Sequence, residues 1–89
     1  MPINPNFILK EVQGDYMILP INEGNVNATV IFNTNETGAY IFNKLSEGVS
    51  KDKLIEMMIE EYEGLTYDVC KADVDEFIDR LKAKGIYND

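Results

Sequence analysis

Histidine and tryptophan are absent from this 89-residue chain, cysteine occurs once, and the only serines are Ser46 and Ser50. Without histidine, the commonest general base and the commonest metal ligand are gone. A single cysteine can form neither an internal disulfide nor a zinc site of its own, and weakly indicates a reducing compartment. Cys70 falls on an apolar helical stripe, so it is expected to be a small buried hydrophobe rather than a reactive thiol. Both serines lie near helix ends with no base close in sequence. The chain therefore has almost no raw material for nucleophilic or acid–base catalysis. It is expected to be no enzyme and to need no cofactor.

Basic residues are also scarce: 8 Lys and Arg stand against 16 Asp and Glu, for a net charge of −8. A surface of that sign repels phosphate backbones and anionic lipid, so neither nucleic acid nor a membrane is an expected partner. No apolar run approaches the ~20 residues of a membrane span. The opening "MPINPNFILKEV" lacks the basic start and apolar centre of a signal peptide. A cytoplasmic location follows as the expectation.

Hydrophobic residues make up 45% of the chain, enough for one core, and the expectation is a single domain over residues 1–89. Residues 7–12, "FILKEV", and 16–21, "YMILPI", are rich in strand-forming types and flank the turn signal "QGD". Pro20 cannot donate to a ladder and belongs at an edge or near a strand end. Residues 28–32, "ATVIF", read as a third strand. After residue 33 the apolar period changes from 2 to about 3.6. A first helix carries Gly38, Ile41, Phe42 and Leu45 and stops near Gly48. A second starts from the N-cap Ser50 and buries Leu54, Ile55, Met58, Ile59 and Tyr62. A third begins at Thr66 or Asp68, buries Cys70, Val74, Phe77, Ile78 and Leu81, and ends before Gly85. Ile86 and Tyr87 are expected to fold back onto the core. The predicted fold is α+β: a three-stranded antiparallel sheet followed by three helices, in a winged helix-turn-helix-like arrangement.

Three stretches with the look of chemistry read more simply as structure. "FNTNETGAYIF", residues 32–42, has one glycine, no lysine and no serine, so it is neither a phosphate loop nor a nucleophile elbow. It reads as a strand-to-helix junction in which Thr34 or Asn35 caps the helix and Gly38 admits a close approach to the sheet. "DVDEFIDR", residues 73–80, lacks the glycine of a calcium loop and interleaves apolar residues at helical spacing. The serines, in "KLSEG" and "GVSKD", do not form the Asp-Ser-Leu motif of acyl carrier proteins. What remains is a peptide-binding module, or alternatively a winged-helix DNA-binding or transcriptional regulator domain. The second is favoured by topology and opposed by charge. In the segment 68–84, Asp68, Asp73, Asp75, Glu76 and Asp79 outnumber Lys71, Arg80, Lys82 and Lys84.

"NPNFILKEVQGDYMILPI" followed by "VIFNTNETGAYIFNKLSEG" resembles the PqqD-like family, named for coenzyme PQQ synthesis protein D. Asn35-Glu36-Thr37-Gly38-Ala39 is the most specific block, and Phe77, Leu81, Gly85 and Ile86 fit the closing helix pattern. Phe42 stands where the family often has tryptophan. The resemblance implies a RiPP recognition element: a non-catalytic peptide chaperone, monomeric or dimeric, that binds the leader of a ribosomally made precursor peptide. It would present that peptide to a separate modifying enzyme such as a radical SAM maturase. The leader is expected to add as a strand beside the third strand and lean on the third helix.

On the residues, a third strand following a hairpin is a sheet edge, so Ala28, Thr29, Val30 and Ile31 are the expected ladder. On the third helix, Lys71, Val74, Asp75, Ile78 and Lys82 form the expected contact stripe, with the alternative that Val74 and Ile78 are simply core.

Overall fold

The "QGD" turn closes the hairpin from which the rest of the fold is built. β1 (Phe7–Val12) and β2 (Asp15–Asn22) pair antiparallel from Phe7 opposite Pro20 to Val12 opposite Asp15. Gln13 and Gly14 have φ of 52° and 84°, the left-handed pair that a two-residue type I′ turn demands. The computed structural model describes residues 3–22, 25–26 and 32–88.

β2 is the central strand. A two-residue β3 (Asn25–Val26) pairs with its end, and β4 (Phe32–Thr34) pairs antiparallel with Tyr16, Met17 and Ile18. The backbone N–H of Ile21 donates to the carbonyl of Asn6 at 2.6 Å, so odd residues of β2 bond toward β1 and even residues bond the other way. The missing N–H of Pro20 therefore falls between the β4 and β3 ladders, where no described strand requires it.

The expected third strand overlaps β4 only at Phe32, and Ala28–Ile31 lie outside the described residues. Asn33 and Thr34, read from sequence as part of a polar junction, are strand residues. Their pairing with Met17 and Tyr16 is a tertiary contact that local polarity does not reveal.

Three capped helices follow: α1 (Glu36–Ser46), α2 (Lys51–Glu61) and α3 (Tyr67–Ala83). Asn35 caps α1, its side chain accepting the Gly38 N–H at 2.8 Å. Ser50 accepts from Lys53 at 3.2 Å, and Thr66 accepts from Val69 at 3.4 Å. These bonds satisfy donors that the first turn leaves without partners. α3 ends as Gly85 takes φ +74° and the Ile86 N–H returns to the Leu81 carbonyl at 2.9 Å. Ile86 is fully buried, and Tyr87 forms an isolated bridge with Ile3, tying the two ends of the chain together.

The core lies between the sheet and the helices. Ile18 and Phe32 come from the sheet, Ile41, Phe42 and Leu45 from α1, Leu54, Ile55 and Met58 from α2, and Cys70, Val74, Phe77, Ile78 and Leu81 from α3. Among the described residues no helix is long and apolar enough to cross a membrane.

Candidate functional site: the open edge of β4 beside α3

β4 joins the sheet by one edge, and no described strand pairs with the other. Because Tyr16 and Ile18 bond toward β4, Phe32 and Thr34 use their backbone groups on β2. Asn33, between them, points its N–H and C=O away from the sheet. Its side chain is exposed while Phe32 is buried, as the strand's two-residue period requires. An edge with outward donors and acceptors is a template for another strand.

The floor beside this edge is aromatic. Phe32 and Phe77 meet edge-to-face, with centroids 5.6 Å apart and planes at 89°. The Arg80 guanidinium stacks over the Phe32 ring at 4.8 Å from its centroid. An opening of about 380 Å³ lies between Phe32 and Asn33 on β4 and Arg80, Ala83 and Lys84 at the end of α3. A second opening, of about 330 Å³, reaches from Thr34 and Gly38 to Asp73, Glu76, Phe77 and Arg80. Arg80 borders both and stands between them, so the two openings follow one another beside β4 and are treated together as its groove. Asp73, Glu76, Arg80 and Lys84 are exposed and make no ion pair with another described residue.

Gly38 sets the distance between the walls of this groove. A side-chain carbon there would overlap the Thr34 hydroxyl and stand 3.1 Å from Thr34 Cβ and 3.0 Å from Phe77 Cε1. The start of α1, β4 and α3 converge on this residue, which is the close approach expected of it.

Of the expected helix stripe, Asp75, Ile78 and Lys82 border a separate opening of about 380 Å³ with Lys51 and Tyr87, whose lining includes no residue of β4. Val74 is fully buried and Ile78 is 5% exposed, both within the core, as the alternative reading of them had it. Lys71 and Asp75 turn toward α2 rather than β4. Asp75 takes Lys51 at 2.6 Å and Lys71 at 2.8 Å. Hydrogen bonds from Lys51, and then from Lys71, hold its carboxyl down at about 2. Lys82 lies over the Tyr87 ring at 5.5 Å. The face of α3 beside β4 is instead Asp73, Glu76, Phe77, Arg80 and Lys84. The signal for it was present in the sequence, since Asp73, Phe77, Arg80 and Lys84 follow helical spacing.

Cys70 is fully buried, its sulfur 3.9 Å from Met58 Sδ. Burial, and next the charge of Asp73, push its thiol pKa up, away from the thiolate that reactivity requires. Among the described residues no group of three or more metal-ligating side chains is assembled.

A short antiparallel sheet, three helices and a strand edge that faces the last helix and is unpaired among the described residues define an α+β domain of winged-helix type. The sequence profile of coenzyme PQQ synthesis protein D (PqqD) matches residues 16–86, well over half of the chain, and the chain belongs to that family. No curated protein matches the sequence. The fold is similar to a solved structure of TbiB1 in complex with the TbiA(beta) leader peptide. The TM-score is 0.77 at 18% identity, over 99% of this chain and 95% of that one.

Proposed function

We propose that this chain is a RiPP recognition element that binds the leader segment of a ribosomally synthesised precursor peptide by strand addition to β4. The observation that carries the reading is the open β4 edge beside an aromatic-floored groove. Asn33 offers main-chain bonds there, and the exposed Arg80, seated on the buried Phe32–Phe77 pair, offers a side-chain contact. Main-chain pairing supplies affinity and the groove supplies choice, the division of labour in β-augmentation. Membership of the PqqD family and a fold shared with a leader-peptide complex support the same assignment.

The role is recognition rather than chemistry. The chain holds the leader while a separate cytoplasmic enzyme, such as a radical SAM maturase, acts on the rest of the precursor. Of the expected contacts, Ala28–Ile31 lie outside the described residues, and Val74 and Ile78 are core. The proposal therefore rests on Phe32–Thr34 and on the Asp73–Lys84 face of α3.

The test is a titration of isotope-labelled protein with synthetic leader segments of candidate precursor peptides. The amides of Phe32–Thr34 and of Arg80–Lys84 are expected to shift. Asn33→Pro removes an outward donor at a position an edge strand tolerates, and is expected to remain folded and bind at least about tenfold more weakly. Unchanged affinity in a folded Asn33→Pro variant, with no shifts along β4, rules out strand addition at this edge.

A further inference from the structure

The groove carries a charge order that constrains what can lie in it. α3 presents Asp73 and Glu76 beside Thr34, and Arg80 and Lys84 beside Phe32 and Asn33. Arg80 borders both openings, so charge runs along α3 from Asp73 and Glu76 through Arg80 to Lys84. All four side chains are exposed and without an ion-pair partner among the described residues. Arg80 spends its flat face on Phe32, which leaves its N–H edge available to a carboxylate.

Strand β4 runs from Phe32, beside Lys84, to Thr34, beside Asp73 and Glu76. Every described pairing in this sheet is antiparallel, and antiparallel pairing is slightly the more stable per residue. An added antiparallel strand enters beside Asp73 and Glu76 and leaves beside Arg80 and Lys84. The centres of the two charge pairs are about 11 Å apart along the helix axis at 1.5 Å per residue. Phe32 and Thr34 are two strand residues apart, about 7 Å at 3.4 Å per residue, so the described edge of β4 spans part of that distance.

Building on the strand-addition reading, we infer that the groove selects an extended peptide with a Lys or Arg on the N-terminal side of an Asp or Glu. The peptide lies antiparallel to β4. The basic side chain pairs with Asp73 and Glu76, and the acidic one pairs with Arg80 and Lys84. Main-chain pairing accepts any sequence, so the charge order is what distinguishes one leader from another at this site.

The experiment selects a random dodecapeptide library displayed on phage against the full chain. The same selection is made against the fourfold variant Asp73→Lys, Glu76→Lys, Arg80→Glu, Lys84→Glu. That variant exchanges the two ends while leaving the net charge unchanged, so bulk attraction does not distinguish the proteins. Enriched peptides are synthesised and mapped by their effect on the Asn33 amide. The wild-type chain is expected to enrich the basic-then-acidic order about tenfold, the sum of two partly exposed ion pairs. The variant is expected to enrich the reverse order. Peptides that shift the Asn33 amide without this order, or the same order on both proteins, overturn the charge inference and leave strand addition standing. Failure to obtain any peptide that shifts the Asn33 amide overturns both.

Discussion

Replacing Gly38 by alanine adds one carbon at the point where α1, β4 and α3 meet. Two effects oppose each other. Alanine is the better helix former by about 1 kcal/mol in a helix interior. Gly38 is the third residue of α1, where only part of that gain is available. Against it, the new carbon overlaps the Thr34 hydroxyl. Turning that hydroxyl aside is not enough, because Thr34 Cβ at 3.1 Å and Phe77 Cε1 at 3.0 Å remain too close. Backbone elements must then move apart, and overpacking of this kind costs about 1–3 kcal/mol. The steric term exceeds the propensity term, and a net loss of about 1 kcal/mol is expected. For a domain of this size that lowers Tm by about 4–8 °C. Valine at the same position adds two more carbons and a stiff χ1, and is expected to cost about 2–3 kcal/mol.

The assay is thermal unfolding followed by far-UV circular dichroism. It is run on Gly38→Ala, Thr34→Ala and the double variant. Removing the Thr34 hydroxyl relieves one of the overlaps. The double variant should therefore be more stable than the sum of the single effects by at least about 0.5 kcal/mol. A Gly38→Ala protein as stable as wild type, or strictly additive effects in the cycle, would refute the claim that Gly38 sets the distance between α1 and the groove.

Cys70 is expected to resist a thiol reagent such as DTNB under native conditions and to react fully once the chain is unfolded, since burial both shields the sulfur and raises its pKa. Asp75 has a folded pKa below its unfolded value, so its contribution to stability is present above about pH 4 and is lost as pH falls toward about 2. Asp75→Asn is accordingly expected to be less stable than wild type at pH 6, with the difference shrinking as pH falls and vanishing only below about pH 2 in denaturant titrations. A carboxyl NMR titration midpoint for Asp75 near 4 would contradict the Lys51–Asp75–Lys71 geometry. Duplex DNA at physiological salt is expected to bind no more tightly than ordinary non-specific association, because a net charge of −8 opposes it; sequence-specific retention in a gel-shift assay would contradict this.

The order of elements, the helix caps and the buried row of each helix follow from local chemistry that the sequence displays. Ser50 caps because its hydroxyl reaches a backbone N–H three residues on, whatever the rest of the fold does. Cys70, Val74, Phe77, Ile78 and Leu81 are inside because they recur at helical spacing, and the structure buries all five. The two flanks of that row are a different matter. Lys71, Asp75 and Lys82 lie on one flank, and Asp73, Glu76, Arg80 and Lys84 on the other. Both mix charges, and periodicity alone treats them alike. Docking of α3 broke the equivalence: Lys51, at the start of α2, reached Asp75 on the first flank, while Phe32 met Phe77 and Arg80 on the second. The continuation of the strand through Asn33 and Thr34 was decided in the same way, by pairing with β2 from far along the chain. Periodicity marks which side of a helix avoids water, but the neighbour that covers each border of that side is chosen only when the elements pack.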